Sequence, residues 1–344
     1  MTKPGAGAVA LFVLALSCAT GAAVADDVAD FYRGKTIVMT IGSSAGGGYD
    51  ALSRAVARFL PGHIPGAPAV VTRNQPGAGG VLAAKYLYTI APRDGTAMGL
   101  LRNLAPLEPL FGTREADYDA TKFNWLGTLA VETGLVIVWR DSPFKSIEDM
   151  RAREFLSAAD GVSSQPAFYS RLLNELLGTK IRVVAGYAGQ NEAYLAIEQH
   201  EVDSFGVTYW SSLTSTKQEW LRDGKIRVLL QFGPVREPAL KDVPYAPDMA
   251  ASAEDRELFR AAYAPLTLGR PFVLPPDVPP ERVAALRKAF GDMIADPRFR
   301  AEADRLGLLV DNPRTGAQLQ EELERLYAMP PARLERLRAL ARAR

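Results

Sequence analysis

The sequence has one cysteine, Cys18, and two histidines, His63 and His200, far apart in the chain. No internal disulfide can form. Neither histidine has a second histidine or a cysteine at metal-ligand spacing, which argues against a zinc site, a cysteine nucleophile or catalysis built on paired histidines. Charge of one sign is missing too: 40 Lys and Arg stand against 39 Asp and Glu. Only the tail from Arg333 to Arg344 is basic, so nucleic acid is not an expected partner, and that tail reads as a solvated helix face with docking as the lesser alternative. No apolar run reaches the roughly 20 residues a membrane-spanning helix needs. There is no Lys with Ser or Thr closing a P-loop, no dinucleotide-type spacing of three glycines and no GxSxG nucleophile elbow.

At about 150 residues per domain, 344 residues suggest two domains. Lys3 precedes the short apolar stretch Ala6 to Leu16, and Ala23, Val24 and Ala25 form a small-x-small site followed by Asp26 and Asp27. This reads as a signal peptide over residues 1–25, cleaved after Ala25, which directs the chain out across the cytoplasmic membrane. A buried N-terminal helix and a lipid anchor on Cys18 are the weaker alternatives. Cleavage leaves a cysteine-free chain with equal numbers of acidic and basic residues.

The apolar run Lys35 to Ile41 reads as a strand, followed by a Gly-rich turn and a helical pattern from Asp50 to Leu60. The unit repeats at once: strand Ala69 to Arg73, loop Asn74 to Gly80, helix Val81 to Ile90, then strand Ala97 to Leu101. Such alternation across short loops predicts parallel α/β layers. A second set holds strands Gly134 to Trp139, Phe155 to Ala158, Arg182 to Ala185, Ser204 to Val207 and Arg227 to Phe232. Its helices are one capped by Ser146 with Asp149, then Ala167 to Leu177 and Asn191 to His200. Pro234 to Pro247 reads as a connection and Leu266 to Val273 as a strand. Helices Pro280 to Ile294, Pro297 to Leu306, Thr315 to Tyr327 and Pro331 to Arg342 close the chain, with prolines at their starts.

Two loops carry the chemistry: Ser43, Ser44, Ala45, Gly46, Gly47, Gly48, Tyr49, Asp50; and Pro76, Gly77, Ala78, Gly79, Gly80. Each follows a strand and opens a helix. Backbone N–H groups there can face an anion closely, although a tight strand-to-helix turn alone would also use such glycines.

The segments GSSAGGGYDALSRAVARFL, VVTRNQPGAGGVLAAKYL and APRDGTAMGLL together resemble the N-terminal signature of the substrate-binding receptors of tripartite tricarboxylate transporters, the Bordetella uptake gene family. The likeness continues more loosely through GVSSQPAFYSRLLNELLG, VAGYAGQNEAYLAIEQHEVD, DGKIRVLLQFG and KDVP. It implies an α/β, two-domain periplasmic binding protein type II (Venus flytrap) fold with a ligand cleft between the domains. The implied division is domain I, 26–127 plus 233–344, and domain II, 128–232. The implied function is a non-enzymatic receptor that captures a small organic carboxylate and delivers it to the large and small integral membrane subunits of a tripartite transporter. A monomer without cofactor or metal is expected. An exported ligand sensor for a signalling partner, and less so an α/β hydrolase, are the rival readings.

Carried over by position, Ser43 to Asp50, with Asn74 and Pro76 to Gly80, form the first-domain wall. Ser163, Ser164 and Gln165, with Tyr187, Ala188, Gly189 and Gln190, form the facing wall, and Asp203 braces loops. Tyr49 replaces the family's usual Thr, Ser44 its Pro and Gln75 its Arg. Tyr49, Tyr187, Tyr209 and Trp210 are candidates for an aromatic side of the pocket, with interdomain packing the alternative for the last two. Trp125, Trp139 and Trp220 read as packing residues.

Overall fold

The structure is a computed structural model that describes residues 27–162 and 164–342. The expected signal peptide, its cleavage after Ala25, and Ser163 lie outside the described residues. Helix α1 covers 27–32. Then follow β1 (Thr36–Ile41), α2 (Gly48–Phe59), β2 (Ala69–Asn74), α3 (Val81–Thr89), β3 (Ala97–Leu100), α4 (Glu108–Phe111) and β4 (Asn124–Thr128). The chain next builds β5 (Gly134–Trp139), α5 (Ile147–Ala152), β6 (Phe155–Ala159), α6 (Gln165–Leu177), β7 (Ile181–Ala185) and α7 (Gln190–Glu198). It continues with β8 (Ser204–Phe205), β9 (Thr208–Tyr209), α8 (Trp210–Thr216), α9 (Gln218–Arg222) and β10 (Ile226–Phe232). The last stretch holds α10 (Ala253–Tyr263), β11 (Phe272–Leu274), α11 (Pro280–Ala295), α12 (Pro297–Arg305), β12 (Arg314–Thr315), α13 (Gly316–Tyr327) and α14 (Pro331–Arg342).

One sheet has six strands in the order β12-β4-β11-β3-β1-β2, and its strands come from both ends of the chain. The middle of the chain forms two three-stranded sheets, β10-β5-β9 and β7-β6-β8. The chain therefore leaves the first lobe after β4, builds the second, and returns after β10. Ile37, Met39 and Ile41 are fully buried on alternate positions of β1, as the period of two requires. β1 runs parallel to β2 and β3, in register Ile41 to Asn74 and Ile41 to Leu100, so the loops after all three strands leave the same edge. β6 is likewise parallel to β7 and β8.

The expectation of parallel layers holds for those strands and fails elsewhere. β11 enters antiparallel between β3 and β4, and β5 pairs antiparallel with β10 and β9. The strand expected at Leu266 to Val273 is also corrected. Residues Ala264–Leu268, with Pro265 inside, form a 3-10 turn, Gly269 takes φ +61°, and only Phe272–Leu274 is extended. Helix α10 has no counterpart in the expected elements; Ser252 caps it by accepting from Asp255 N at 3.0 Å. The basic C-terminal helix is not a free solvated face. Leu337 is buried, Arg338 Nε donates to Leu110 O of α4 at 2.6 Å, and Arg171 of α6 donates to Leu340 O at 3.1 Å. Helix α14 therefore touches both lobes. Trp125 and Trp220 are buried packing residues, and Trp139 meets Trp220 edge-on at 5.1 Å.

Candidate functional site

The carboxyl ends of the parallel strands of the two lobes face each other, which is where open α/β sheets place ligands. A cavity of about 380 Å³ lies there. Its first-lobe wall is Gly42, Ser43, Ser44, Gly47, Gly48 and Tyr49 after β1, Pro76, Gly77, Ala78 and Gly79 after β2, and Arg102 after β3. The opposite wall is Asp160 after β6, Gly186, Tyr187, Ala188, Gly189 and Gln190 after β7, and Phe205, Val207 and Tyr209.

Fourteen of the expected residues therefore line the cavity: Ser43, Ser44, Gly47, Gly48, Tyr49, Pro76, Gly77, Ala78, Gly79, Tyr187, Ala188, Gly189, Gln190 and Tyr209. Ala45 and Gly46 are exposed at the tip of the first loop beside Asn191. Asp50, Asn74, Gly80, Ser164 and Gln165 stand behind the wall instead, and so does Trp210, which packs with the second-lobe core. Asp50 is buried and braces the first loop. Its carboxylate accepts from Gly46 N at 2.9 Å, Arg54 Nε at 2.9 Å and Asn74 Nδ2 at 3.0 Å. Burial pushes the Asp50 carboxyl up, but those bonds outweigh it, so its pKa is lowered and it stays charged. Asn74 also donates to Ser43 O at 3.1 Å, tying the first loop to the end of β2. Gly80 has φ +96°, and a Cβ there would lie 3.0 Å from Arg102 Cγ and Cδ; the missing side chain lets Arg102 run across the second loop. Asp203, expected to brace loops, ties the turn before β8 to strand β6, accepting from Leu156 N at 2.8 Å.

The lobes meet through polar contacts. Gly48 N donates to Gln190 Oε1 at 3.4 Å, and Asn191 Nδ2 to Ala45 O at 3.3 Å. Asn103 of the first lobe accepts from Gln165 Nε2 at 2.6 Å and from Tyr209 OH at 3.3 Å, and Tyr209 also donates to Gln165. Arg102 and Asp160 form an ion pair across the cleft. Burial disfavours both charges, yet each partner holds the other ionised: the Arg102 pKa is raised and that of Asp160 lowered.

Tyr49, the departure from the usual family Thr, is buried with its ring 4.6 Å from the Arg270 guanidinium. Arg270 is in turn held 2.7 Å from Glu132 and donates to Ser211 Oγ at 2.5 Å and Ser212 Oγ at 2.7 Å. Burial raises the Tyr49 pKa, so the wall here is a neutral phenol. The lining residues that sequence reasoning missed are Gly42, Arg102, Asp160, Gly186, Phe205 and Val207. A usable signal existed for two of them: Arg102 and Asp160 are the first charged residues after β3 and β6.

Among the described residues, no group of three His, Cys, Asp or Glu is placed to hold a metal, and no helix is long and apolar enough to cross a membrane.

Two lobes with a shared cleft at their strand ends define a periplasmic-binding-protein fold. Solved structures with this fold include the periplasmic binding protein BugD, with a TM-score of 0.69 and 20% identity over 90% of this chain and 98% of that one. Another is MatC from Rhodopseudomonas palustris with bound malate, at a TM-score of 0.69 and 20% identity over 89% of this chain and 99% of that one. A second R. palustris protein, solved with adipate, has a TM-score of 0.66 and 20% identity, covering 89% of this chain and 97% of that one. A UPF0065 protein encoded in the gbd 5′ region of Cupriavidus necator is 27% identical over 279 residues, 79% of this chain and 78% of that protein. The family model for the tripartite tricarboxylate transporter family receptor, TctC, matches residues 57–326, and the chain belongs to that family.

Proposed function

We propose that this protein is an exported, non-enzymatic receptor that captures one small organic carboxylate between its lobes. It delivers the carboxylate to the large and small integral membrane subunits of a tripartite transporter. The observation that carries this reading is the convergence of the loops after β1, β2 and β7 on one cavity, two of them opening directly into helices α2 and α7. Backbone N–H groups at such helix starts favour an anion without a dedicated cation. In this reading Ser43, Ser44, Gly47 and Gly48 with Pro76 to Gly79 hold the carboxylate, directly or through water. Tyr187 to Gln190 and Tyr209 contact the remainder. Asp50, Asn74, Gly80, Ser164 and Gln165 support those loops from behind, and Ala45 and Gly46 complete the first loop. The lobes divide as 26–127 plus 233–344 and 128–232, the signal peptide is removed after Ala25, and the mature protein works as a periplasmic monomer. The family membership and the malate and adipate seen in the neighbouring structures support this assignment.

The ligand acts by binding the closed arrangement better than the open one, which shifts the population toward closure. Native mass spectrometry of protein purified after export, followed by thermal unfolding against mono-, di- and tricarboxylates, tests the reading. Saturable stabilisation by a carboxylate is the expected result. No retained acid and no stabilisation by any carboxylate would overturn it.

A further inference from the structure

The cavity wall carries formal charge at two residues among those described, Arg102 and Asp160, and they neutralise each other across the cleft. Their side chains are 11% and 15% exposed, so water screens the pair poorly. The other guanidinium near the site, Arg270, lies behind Tyr49 and is committed to Glu132, Ser211 and Ser212. Among the described residues, then, the wall offers no cation without a carboxylate beside it: Arg102 Nε–H has no hydrogen-bond partner, but a ligand carboxylate that takes it lies next to Asp160.

These facts limit the charge the cavity can accept. The loop N–H groups after β1 and β2 supply partial positive charge for a single anionic group. The start of α7 on the opposite wall already has a carboxylate of its own, since Glu192 accepts from Ala188 N at 2.7 Å. A second carboxylate on the same molecule is therefore left with the ion pair and two options there. It can displace Asp160 from Arg102, leaving a buried carboxylate without its partner, or it can lie near Asp160 and be repelled. Away from that pair, the second-lobe wall presents Tyr187, Phe205, Val207 and Tyr209, which suit an apolar or aromatic body.

Resting on the receptor reading above, we propose that the ligand is a monocarboxylate with an apolar or aromatic body. Asp160, through its hold on Arg102, is the residue that sets this preference by excluding a second negative charge. This goes beyond the carboxylate class as a whole and separates this cavity from those of the neighbours solved with malate and adipate.

The test compares acids that differ by one carboxylate: hexanoate with adipate, and benzoate with terephthalate. Each is titrated calorimetrically into the protein purified after export. In at least one pair the monocarboxylate is expected to bind about tenfold or more tighter, the scale of a charge-assisted hydrogen bond lost or opposed. Asp160→Asn keeps the shape, frees Arg102 and removes the repelling charge. It should strengthen dicarboxylate binding about tenfold while changing monocarboxylate binding less. The wild-type ratio alone decides the question if that variant does not fold. Adipate and terephthalate each binding as tightly as its monocarboxylate partner overturns this inference and leaves the receptor reading standing. So does an Asp160→Asn protein that folds like wild type with unchanged selectivity. Absence of binding by all four acids, together with silence across the broader panel, overturns both.

Discussion

Gly189 offers a clean way to ask whether the lobes close on ligand as they meet here. Its backbone is extended, with φ 163° and ψ −167°, which an alanine adopts without strain. A Cβ added there would fall inside the radius of Ser44 Oγ on the opposite lobe and 3.2 Å from Ser44 Cβ. The hydroxyl can rotate away, but the Cβ pair is still crowded and the lobes must separate by a few tenths of an ångström. Crowding of this kind costs about 1–2 kcal/mol. It acts only on the closed arrangement, because parting the lobes separates the two atoms. At 1.4 kcal/mol per factor of ten, Gly189→Ala should weaken binding of the best carboxylate in the panel by roughly 5- to 30-fold. Thermal unfolding without added ligand should stay within about 0.5 kcal/mol of wild type. Titration calorimetry and thermal unfolding give both numbers. Ser44→Gly combined with Gly189→Ala should regain most of the loss relative to Ser44→Gly alone, a coupling of about 1 kcal/mol. Wild-type affinity in Gly189→Ala would refute the closure geometry. An unrescued double variant would show that the substitution had damaged its own loop instead.

Asp50→Ala should cost about 1–2 kcal/mol in denaturant unfolding, because it removes the shared acceptor of Gly46 N–H, Asn74 and Arg54, of which only Asn74 is partly held away from water. Asp50 has a folded pKa below its unfolded one, so its contribution is present above about pH 4 and is lost as pH falls through the folded value. An Asp50→Asn protein should therefore show a flatter acid limb. Glu108 behaves oppositely: burial lifts its carboxyl to about 7, against Thr113 and Arg102, so the folded state holds a proton that the unfolded chain releases near its ordinary value. Stability should fall as pH rises from about 4.5 through 7, and Glu108→Gln should remove that slope, gaining on the order of 3 kcal/mol at pH 8 by denaturant titration. Phe232→Ala, which removes a buried ring from the cluster with Tyr169 and Tyr263, should cost about 3–5 kcal/mol.

The elements legible in the sequence are those set by local pattern. β1 and β2 announce themselves by β-branched runs before Gly-rich turns, and β3 by a short apolar run after a turn. The helices from α11 to α14 are placed by their periodicity, three of them with starting prolines and α13 with its Thr315 cap. The misses have tertiary causes. Asn124–Thr128 is a strand because β11 and β12 pair with its two edges, and both arrive more than a hundred residues later. The site divides the same way. The glycine loops are local motifs, and most of them do line the cavity. Arg102 meets Asp160 at a separation of 58 residues, and Tyr49 meets Arg270 only once β11 has entered the first sheet. No spacing rule connects such pairs.

The two sides of the contact between the lobes differ in kind, and that difference sets how the cleft can move. At the cleft the lobes touch through backbone and side-chain hydrogen bonds and the Arg102–Asp160 ion pair, which water can replace when they part, and behind Tyr49 the buried Arg270–Glu132 pair also joins them. Away from the cleft, Phe168 stacks on Phe111 at 5.7 Å, and Tyr169 meets Tyr263 of α10 at 5.5 Å. Helix α14 seals that side against α4 and α6. Separating these rings would expose large apolar area with nothing to compensate it. Opening along the polar side is therefore expected to cost less than opening along the aromatic side. If the two forms lie within a few kcal/mol, a ligand's modest preference for closure suffices to decide between them.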